Sequence, residues 1–313
     1  MKKLIVNKKY DNKKLDKFLF DNIPNLSQNL LYKTLRKKDI KVNGKRINQN
    51  IKLKENDEII VYIDDKLLKK DDLQIIFEDD NILVLNKPTN IEVVGENSLT
   101  EIVHRRYVKS DFLPMPCHRL DRNTKGLIIF AKNQDALNIL LSKFKNHEIE
   151  KHYLALVYGT PKKDFQRLEA YLFKDSKKSL VYISDVPKKG YSKIITSYNV
   201  IQKNDDNTCI LDVEIETGKT HQIRAHLAQI GLPIVGDGKY GIYEINRKFN
   251  CKTQNLTSYK IKFKFKTDAG ILNYLNGKEI IFQWELNFIH TTWICVYKIL
   301  NIIKIFKAIS IFS

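Results

Sequence analysis

The spacing of apolar residues near the start of the chain predicts two short helices. The first is ended by Pro24, and its apolar residues are Leu15, Phe18, Leu19 and Ile23. Ser27 can cap the second helix, whose apolar face is formed by Leu30, Leu31 and Leu35. Four basic residues are then left to project outwards: Lys33, Arg36, Lys37 and Lys38. The second helix is therefore expected to carry one basic face.

A segment in which apolar and polar residues alternate, as in a strand, follows these helices. Ile40 and Val42 lead into Asn43-Gly44, the strongest two-residue signal for a hairpin, and residues 58–63 are typical of a closing strand. The charged segment 64–72 is interpreted as a linker. Residues 1–63 are thus predicted to form one small domain.

A longer pattern of strands and helices begins at residue 73. Strands are predicted within 73–85 on both sides of the turn Asp79-Asp80-Asn81, and at 127–131, 151–158 and 212–216. Helices are predicted at 133–144 and 220–230, the second ended by Gly231. Because the elements lack the regular repeat of a doubly wound sheet, the predicted class is α+β. The second domain is expected to span residues 73–282.

Net charge makes nucleic acid the leading class of partner. The 313 residues include 54 Lys and Arg against 36 Asp and Glu, a formal charge of +18, which attracts polyanions. The alternative is that lysine-rich solvated faces are common whatever the function.

The location and the end of the chain are interpreted from cysteines and apolar runs. The four cysteines stand singly, which fits a reducing cytoplasm, and the N-terminus does not have the pattern of a signal peptide. Residues 283–313 are strongly apolar, but Lys298, Lys304 and Lys307 argue against a membrane span. This segment is interpreted as an amphipathic or irregular tail without a functional assignment.

Asp121 is the first candidate for chemistry. It lies in the polar segment HRLDRNTKG, directly before the apolar strand 127–131, and the neighbouring arginines favour its ionised form. Such a carboxylate acts as a nucleophile or a base. Taken alone, the segment favours the alternative of an Asx turn with a surface ion pair.

Two further segments carry candidate residues: EKHYLALVYG at residues 150–159, which contains the predicted strand 151–158, and ETGKTHQIRAHL at residues 216–227. In the second, His221 and His226 lack both a third ligand and a zinc-binding pattern, so packing or hydrogen bonding is the better interpretation. The chain also lacks the glycine-rich loops that bind nucleotides. Neither a metal nor a cofactor is expected.

The N-terminal pattern resembles the S4-type RNA-binding domain. The similarity covers residues 14–63 and includes the LDKFL start, the Ser-led second helix and the VNGK turn. It implies that the small α/β domain binds RNA through its basic helix. The alternative is a helix and hairpin module that only packs on its neighbour.

The segment HRLDRNTKGLIIFAK is similar to the signature of the RluA-type pseudouridine synthases, with Lys125 where the family usually has Ser or Thr. The resemblance implies a mixed, largely antiparallel sheet domain with Asp121 as the catalytic carboxylate. It also implies that Tyr153 lies against the target base, that Arg224 pairs with Asp121, and that Arg119 enters the space left by the flipped uridine. Lys219 replaces the usual Arg, which weakens any contact that needs a bidentate side chain.

These observations predict a monomeric cytoplasmic pseudouridine synthase that acts on structured RNA, most often large-subunit (23S) ribosomal RNA for this domain layout. Arg224 is expected to hold Asp121 through two parallel hydrogen bonds. Asp121 could attack the base, attack C1′, or remove a sugar proton to give a glycal, and the last is favoured. The alternatives are the same enzyme acting on tRNA, and a non-catalytic RNA-binding or ribosome-associated protein.

Overall fold

The computed structural model describes residues 1–23, 26, 28–64, 73–108 and 110–282, without the side chains of residues 28 and 29. Contacts between Cα atoms divide the chain into two compact units. The described residues within Met1–Ile75 and Ile91–Met115 form the first unit, and those within Ile76–Asn90 and Pro116–Ser313 form the second. The predicted helix boundaries at Pro24 and Ser27, residues 65–72 of the predicted linker, and the tail 283–313 lie outside the described residues.

The first unit contains a four-stranded antiparallel sheet in the order β1-β4-β2-β3. Its elements are β1 (Lys2–Ile5), α1 (Leu15–Asn22), α2 (Gln28–Arg36), β2 (Ile40–Val42), β3 (Lys45–Ile47), β4 (Glu58–Val61) and α3 (Leu99–Arg106), with a 3₁₀ helix at Lys8–Tyr10. The core of residues 1–63 comes from that segment itself, and it includes Leu15, Phe18, Leu31, Ile40 and Ile59. Both predicted helices and the hairpin are therefore confirmed.

The hairpin and the basic helix have the local structure that the sequence predicts. Asn43 and Gly44 have φ angles of 47° and 78°, as a type I′ turn requires. Lys33 and Arg36 on α2, and Lys37 and Lys38 directly after it, are exposed. Strand β1 was not predicted, because four residues that follow a terminal Met are too short to establish an alternation.

The second sheet has eleven strands in the order β11-β10-β12-β13-β9-β14-β8-β6-β5, with β15 beside β14 and β7 beside β8. Its elements are β5 (Gln74–Glu78), β6 (Ile82–Lys87), β7 (Met115–Pro116), β8 (Lys125–Ala131), α4 (Gln134–Lys145), β9 (Ile149–Tyr158), β10 (Phe165–Asp175), β11 (Leu180–Ser184), β12 (Ser192–Lys203), β13 (Thr208–Ile215), α5 (Gln222–Gln229), α6 (Tyr243–Lys248), β14 (Leu256–Phe263) and β15 (Glu279–Ile281), with a 3₁₀ helix at Gly270–Leu275. The pair β14 and β8 is parallel, whereas β6–β8, β9–β13, β9–β14, β10–β12 and β12–β13 are antiparallel. The predicted α+β class with a mixed, largely antiparallel sheet is confirmed.

The second unit contains separate clusters of buried apolar residues that hold its helices. Helix α4 packs through Ala136 and Leu140 into the cluster that contains Leu127 and Ile129 of β8. Helix α5 contributes Ala225 to a cluster with Leu172 of β10 and Ile194 of β12. Arg224, which precedes Ala225, is thereby fixed at the start of a packed helix. Among the described residues, no helix combines the length and the apolar character needed to span a bilayer.

Candidate active site

The loop that carries Asp121 is anchored at both ends. His118 Nε2 accepts a hydrogen bond from the backbone N–H of Ile129 at 3.1 Å, and burial lowers the pKa of His118 to about 3, so the ring is neutral with its proton on Nδ1. Thr124 N–H donates to the carbonyl of Asp121 at 3.0 Å and closes a turn. Thr124 is 2% exposed, and its Oγ1 accepts from Gln254 Nε2 at 2.6 Å. Asp121 therefore projects from a fixed backbone.

Gly126 allows β8 to start immediately after this loop. Its φ is 114°, and a Cβ atom at this position would lie 2.1 Å from the backbone oxygen of Ser258 on β14. Such a distance is far inside van der Waals contact, so only glycine fits beside the parallel strand. The glycine of the HRLDRNTKG segment thus has a packing reason.

Lys87, at the end of β6, makes a hydrogen bond to the same loop. It is 0% exposed, and its ammonium donates to the carbonyls of Pro88 at 2.8 Å and Arg122 at 3.0 Å. Burial lowers the pKa of Lys87 to about 8, although the negative charge of Asp121 opposes the shift. The contact of Lys87 with the loop of Asp121 depends on the tertiary structure and was not predicted from the sequence.

Arg224 joins Asp121 to a second aspartate. Arg224 Nη1 donates to Asp121 Oδ2 at 2.9 Å. The same guanidinium donates twice to Asp237, from Nε at 2.7 Å and from Nη2 at 3.0 Å. The predicted contact between Arg224 and Asp121 is present, but the expectation of two parallel hydrogen bonds to Asp121 was wrong. The bidentate pair is made with Asp237, since that carboxylate faces the edge of the guanidinium that carries Nε and Nη2.

Asp237 is a buried anchor that the sequence analysis missed. Its side chain is 0% exposed, and its Oδ1 also accepts from the backbone N–H groups of Lys239 at 2.8 Å and Tyr240 at 3.1 Å. Burial by itself would raise the pKa of Asp237, but the hydrogen bonds and the charge of Arg224 outweigh it and lower the pKa. Burial likewise opposes the charge on Arg224, and the two aspartates overcome it and raise its pKa. The cluster therefore holds a cation between two anions.

His221 and Tyr240 complete the surroundings of Arg224. His221 Nε2 lies 4.0 Å from Asp121 Oδ2, and its Nδ1 lies 2.9 Å from the hydroxyl of Tyr240. Burial lowers the pKa of His221, with the charge of Asp121 acting in the opposite direction. The Tyr240 ring centroid is 5.3 Å from Arg224 Cζ, within cation–π range. The expectation that His221 forms hydrogen bonds is confirmed, and His226 Nδ1 is likewise 3.0 Å from Thr196 Oγ1.

A cleft of about 350 Å³ opens above this cluster. Its lining brings together the catalytic-domain residues singled out from the sequence: Arg119, Asp121, Tyr153, Lys219 and Arg224. Tyr153, on β9, is 5% exposed, and burial followed by the charge of Asp121 raises its pKa, so it presents a neutral aromatic wall. Arg119 and Lys219 are exposed, and they supply positive charge to the cleft.

A separate group of side chains has the geometry of a cation site. Donor atoms of Glu150, His152 and Glu214 lie within 4.8 Å of one another, and all three residues are partly exposed. His152 Nδ1 is 3.1 Å from Asp212 Oδ1, so hydrogen bonding accounts for the position of the ring. The group is not part of the cleft lining.

Comparison with known proteins identifies a family whose match includes residues that line the cleft. A model of the family described as RNA pseudouridylate synthase matches residues 81–229, which include Asp121, Tyr153 and Arg224. An RNA pseudouridine synthase of Mycoplasma capricolum is 35% identical over 303 residues, covering 90% of this chain and 97% of the relative. A ribosomal large subunit pseudouridine synthase C of Rickettsia felis is 31% identical over 301 residues, covering 89% of this chain and 94% of the relative.

A solved structure supports the fold. The human RNA pseudouridylate synthase domain containing 4 superimposes with a TM-score of 0.57 at 18% identity, covering 69% of this chain and 90% of that chain. The sequence relatives from Mycoplasma capricolum and Rickettsia felis show the family. The chain belongs to the RNA pseudouridylate synthases, isomerases that convert uridine in RNA into pseudouridine.

Proposed function

We propose that this enzyme isomerises uridines of large-subunit ribosomal RNA, with Asp121 as its catalytic carboxylate. The observation that carries the proposal is the position of Asp121 in the cleft, where it accepts a hydrogen bond from a buried arginine that Asp237 holds in place. The relatives from Rickettsia felis and Buchnera aphidicola are both named ribosomal large subunit pseudouridine synthase C, and this favours large-subunit ribosomal RNA as the substrate.

The reaction requires no redox agent or energy donor, because substrate and product have the same composition. The N1–C1′ bond breaks, the uracil turns, and C5 bonds to C1′, while the hydrogen of C5 passes to solvent and N1 gains a proton. Asp121 acts in its ionised form, and Arg224 fixes the direction of the carboxylate. Each of the three routes open to Asp121 needs this charged oxygen close to the sugar or the base.

The other lining residues are assigned to binding the flipped nucleotide. The neutral ring of Tyr153 gives the extruded uracil a surface to stack on, and base stacking contributes about 1–3 kcal/mol. Arg119 enters the space that the uridine leaves in the RNA. Lys219, exposed among the lining residues, contacts a phosphate as a point charge.

Residues 1–63 are assigned to RNA binding and residues 73–282 to catalysis. The segment 1–63 has its own buried core, and its α2 region presents Lys33, Arg36, Lys37 and Lys38 to solvent. Such a basic face supports an S4-type role in which phosphate contacts supply affinity. The free thiols of Cys117, Cys209 and Cys251 favour a cytoplasmic location. The proposal also includes a monomeric enzyme.

Release of tritium from RNA labelled at C5 of uridine tests the activity and the substrate together. The purified full-length chain is incubated with transcripts of large-subunit ribosomal RNA and, separately, with a pool of tRNA transcripts. We expect release from the ribosomal transcript. Release from tRNA alone would reassign the substrate, and release from neither RNA would favour a non-catalytic RNA-binding protein.

A further inference from the structure

A second cavity, of about 220 Å³, shares part of its lining with the cleft. This groove is lined among others by Phe173, Lys174 and Gly190, and by Lys219 and Thr220, which also line the cleft. The two cavities thus meet at the segment that leads into α5.

One residue of the groove lining, Phe173, stacks on the ring of Tyr191, which itself lies outside the lining. The ring centroids of Phe173 and Tyr191 are 5.4 Å apart with an angle of 28° between the planes, and Phe173 is 38% exposed. Tyr182, directly across from Phe173 in the antiparallel pair of β10 and β11, is 41% exposed. Rings with this exposure leave part of their surface open to solvent, and an unpaired base can stack on such a surface.

Positive charge surrounds the aromatic pair. Residues 173–193 contain six lysines against two aspartates. Lys174, Lys188 and Lys189 are exposed, and Lys188 Nζ lies 5.8 Å from the centroid of the Tyr191 ring. Aromatic rings interleaved with lysines match a polyanion that also carries flat bases, which is single-stranded nucleic acid.

Hydrogen bonds tie this hairpin of β10 and β11 to the surroundings of Asp121. Lys174 pairs with Val181 across the hairpin. The backbone N–H of Val181 donates to the hydroxyl of Tyr240 at 2.8 Å, and that hydroxyl lies 2.9 Å from His221 Nδ1. The groove is therefore held at a fixed position relative to Arg224 and Asp121.

We propose that the groove binds an unpaired nucleotide of the RNA next to the target uridine. Its base stacks on the pair of Phe173 and Tyr191, and the neighbouring phosphates contact Lys174 and Lys219. The inference rests on the proposed function, because it extends the RNA path from a cleft that holds the target uridine. It adds a single-stranded flank to what the enzyme recognises.

The test measures binding of a fluorescein-labelled decauridine by the full-length chain. The double variant Phe173→Ala/Tyr191→Ala should bind about tenfold more weakly, which corresponds to ~1.4 kcal/mol. Tyr191→Phe keeps a ring and should bind like the wild type. The matched control is Tyr243→Ala, which removes an exposed tyrosine (74%) that lines neither cavity and should leave binding unchanged.

A salt titration separates the role of the lysines from that of the rings. Lys174→Ala should reduce the slope of log K against log salt by about 0.7, the value for one phosphate of a single strand. The ring variants should keep the wild-type slope. A wild-type slope in Lys174→Ala would remove this lysine from the RNA path.

The outcomes distinguish this inference from the proposed function. If the wild type releases tritium but the double variant binds decauridine with the wild-type dissociation constant, the groove inference fails alone. If the wild type releases no tritium, the proposed function fails, and the binding comparison still reports on the groove. If sedimentation shows a wild-type dimer that the double variant abolishes, the rings form a contact between two copies of the chain, and the groove inference is refuted.

Discussion

Replacing Arg224 by lysine keeps the positive charge of the cluster but removes the planar guanidinium that bridges Asp237 and Asp121. The guanidinium makes three hydrogen bonds, two to Asp237 and one to Asp121, and the side chain of Arg224 is 8% exposed. An ammonium carries its three N–H donors on one nitrogen, so it cannot reach both oxygens of Asp237 and one of Asp121 as the three guanidinium nitrogens do. At least one charged hydrogen bond is lost, and such bonds contribute about 1.5–3 kcal/mol each. The free energy of unfolding should fall by about that amount.

The catalytic rate should fall further than this loss of stability suggests. Once Asp121 loses its fixed partner, its carboxylate is no longer held in one direction, and a misplacement of about 1 Å can lower a rate by about 10²-fold. We therefore expect Arg224→Lys to reduce the single-turnover rate at saturating RNA by about 100-fold or more. The RNA dissociation constant should change only modestly, because the net charge is retained.

Single-turnover release of tritium and chemical denaturation are measured on the same preparations. Arg122→Lys is the matched control. Arg122 lies one residue from Asp121 and is exposed, and within the described part of the chain its side chain makes a single long hydrogen bond, of 3.5 Å, to the carbonyl of Asn90. The substitution should change the stability by less than about 0.5 kcal/mol. A wild-type rate in Arg224→Lys would contradict the assignment of Arg224 as the partner that orients Asp121, whatever the change in stability.

Two further predictions concern the RNA-binding unit and Lys87. Removing residues 1–63 should weaken RNA binding and flatten its salt dependence, because Lys33, Arg36 and their neighbours are lost, while turnover survives at saturating RNA; an unchanged dissociation constant and salt slope would show that this segment does not touch the substrate. For Lys87, the pKa is lowered to about 8 from 10.5 in the unfolded chain, so the unfolded chain binds more protons between these pH values and the contribution of Lys87 to the free energy of unfolding rises with pH over that window. Denaturant curves from pH 7 to pH 10 should show this rise in the wild type relative to Lys87→Met, and parallel pH profiles of the two proteins would refute it.

Local patterns predicted much of the fold. The helical spacing around Leu15 and Leu31, the hairpin at Asn43-Gly44 and the helix that starts after Asn133 were all confirmed, because each depends on residues close in sequence. The strands β10, β11 and β12 were not predicted. In β10 the buried positions are Leu168, Ala170 and Leu172, separated by exposed or partly exposed residues, and an alternation that includes a small alanine gives a weak signal.

The candidate site was predicted where a motif carries it and missed where only tertiary contacts create it. Asp121, Tyr153 and Arg224 come from three separate segments, and the structure brings all three to one cleft. Asp237 lies 13 residues after Arg224 in a turn that has no pattern of its own, so its bidentate contact could not be inferred. The same reason explains the wrong expectation for Asp121, since the number of hydrogen bonds depends on which carboxylate faces each edge of the guanidinium.

The proposed reaction depends on the negative charge of Asp121, and Asp121→Asn removes this charge while keeping the size of the side chain. The most direct measurement is the single-turnover release of tritium from C5-labelled large-subunit ribosomal RNA, with the RNA dissociation constant determined on the same protein. We predict that Asp121→Asn releases no tritium above background and binds the RNA with nearly the wild-type dissociation constant. Release close to the wild-type rate would contradict the assignment of Asp121 as the catalytic carboxylate.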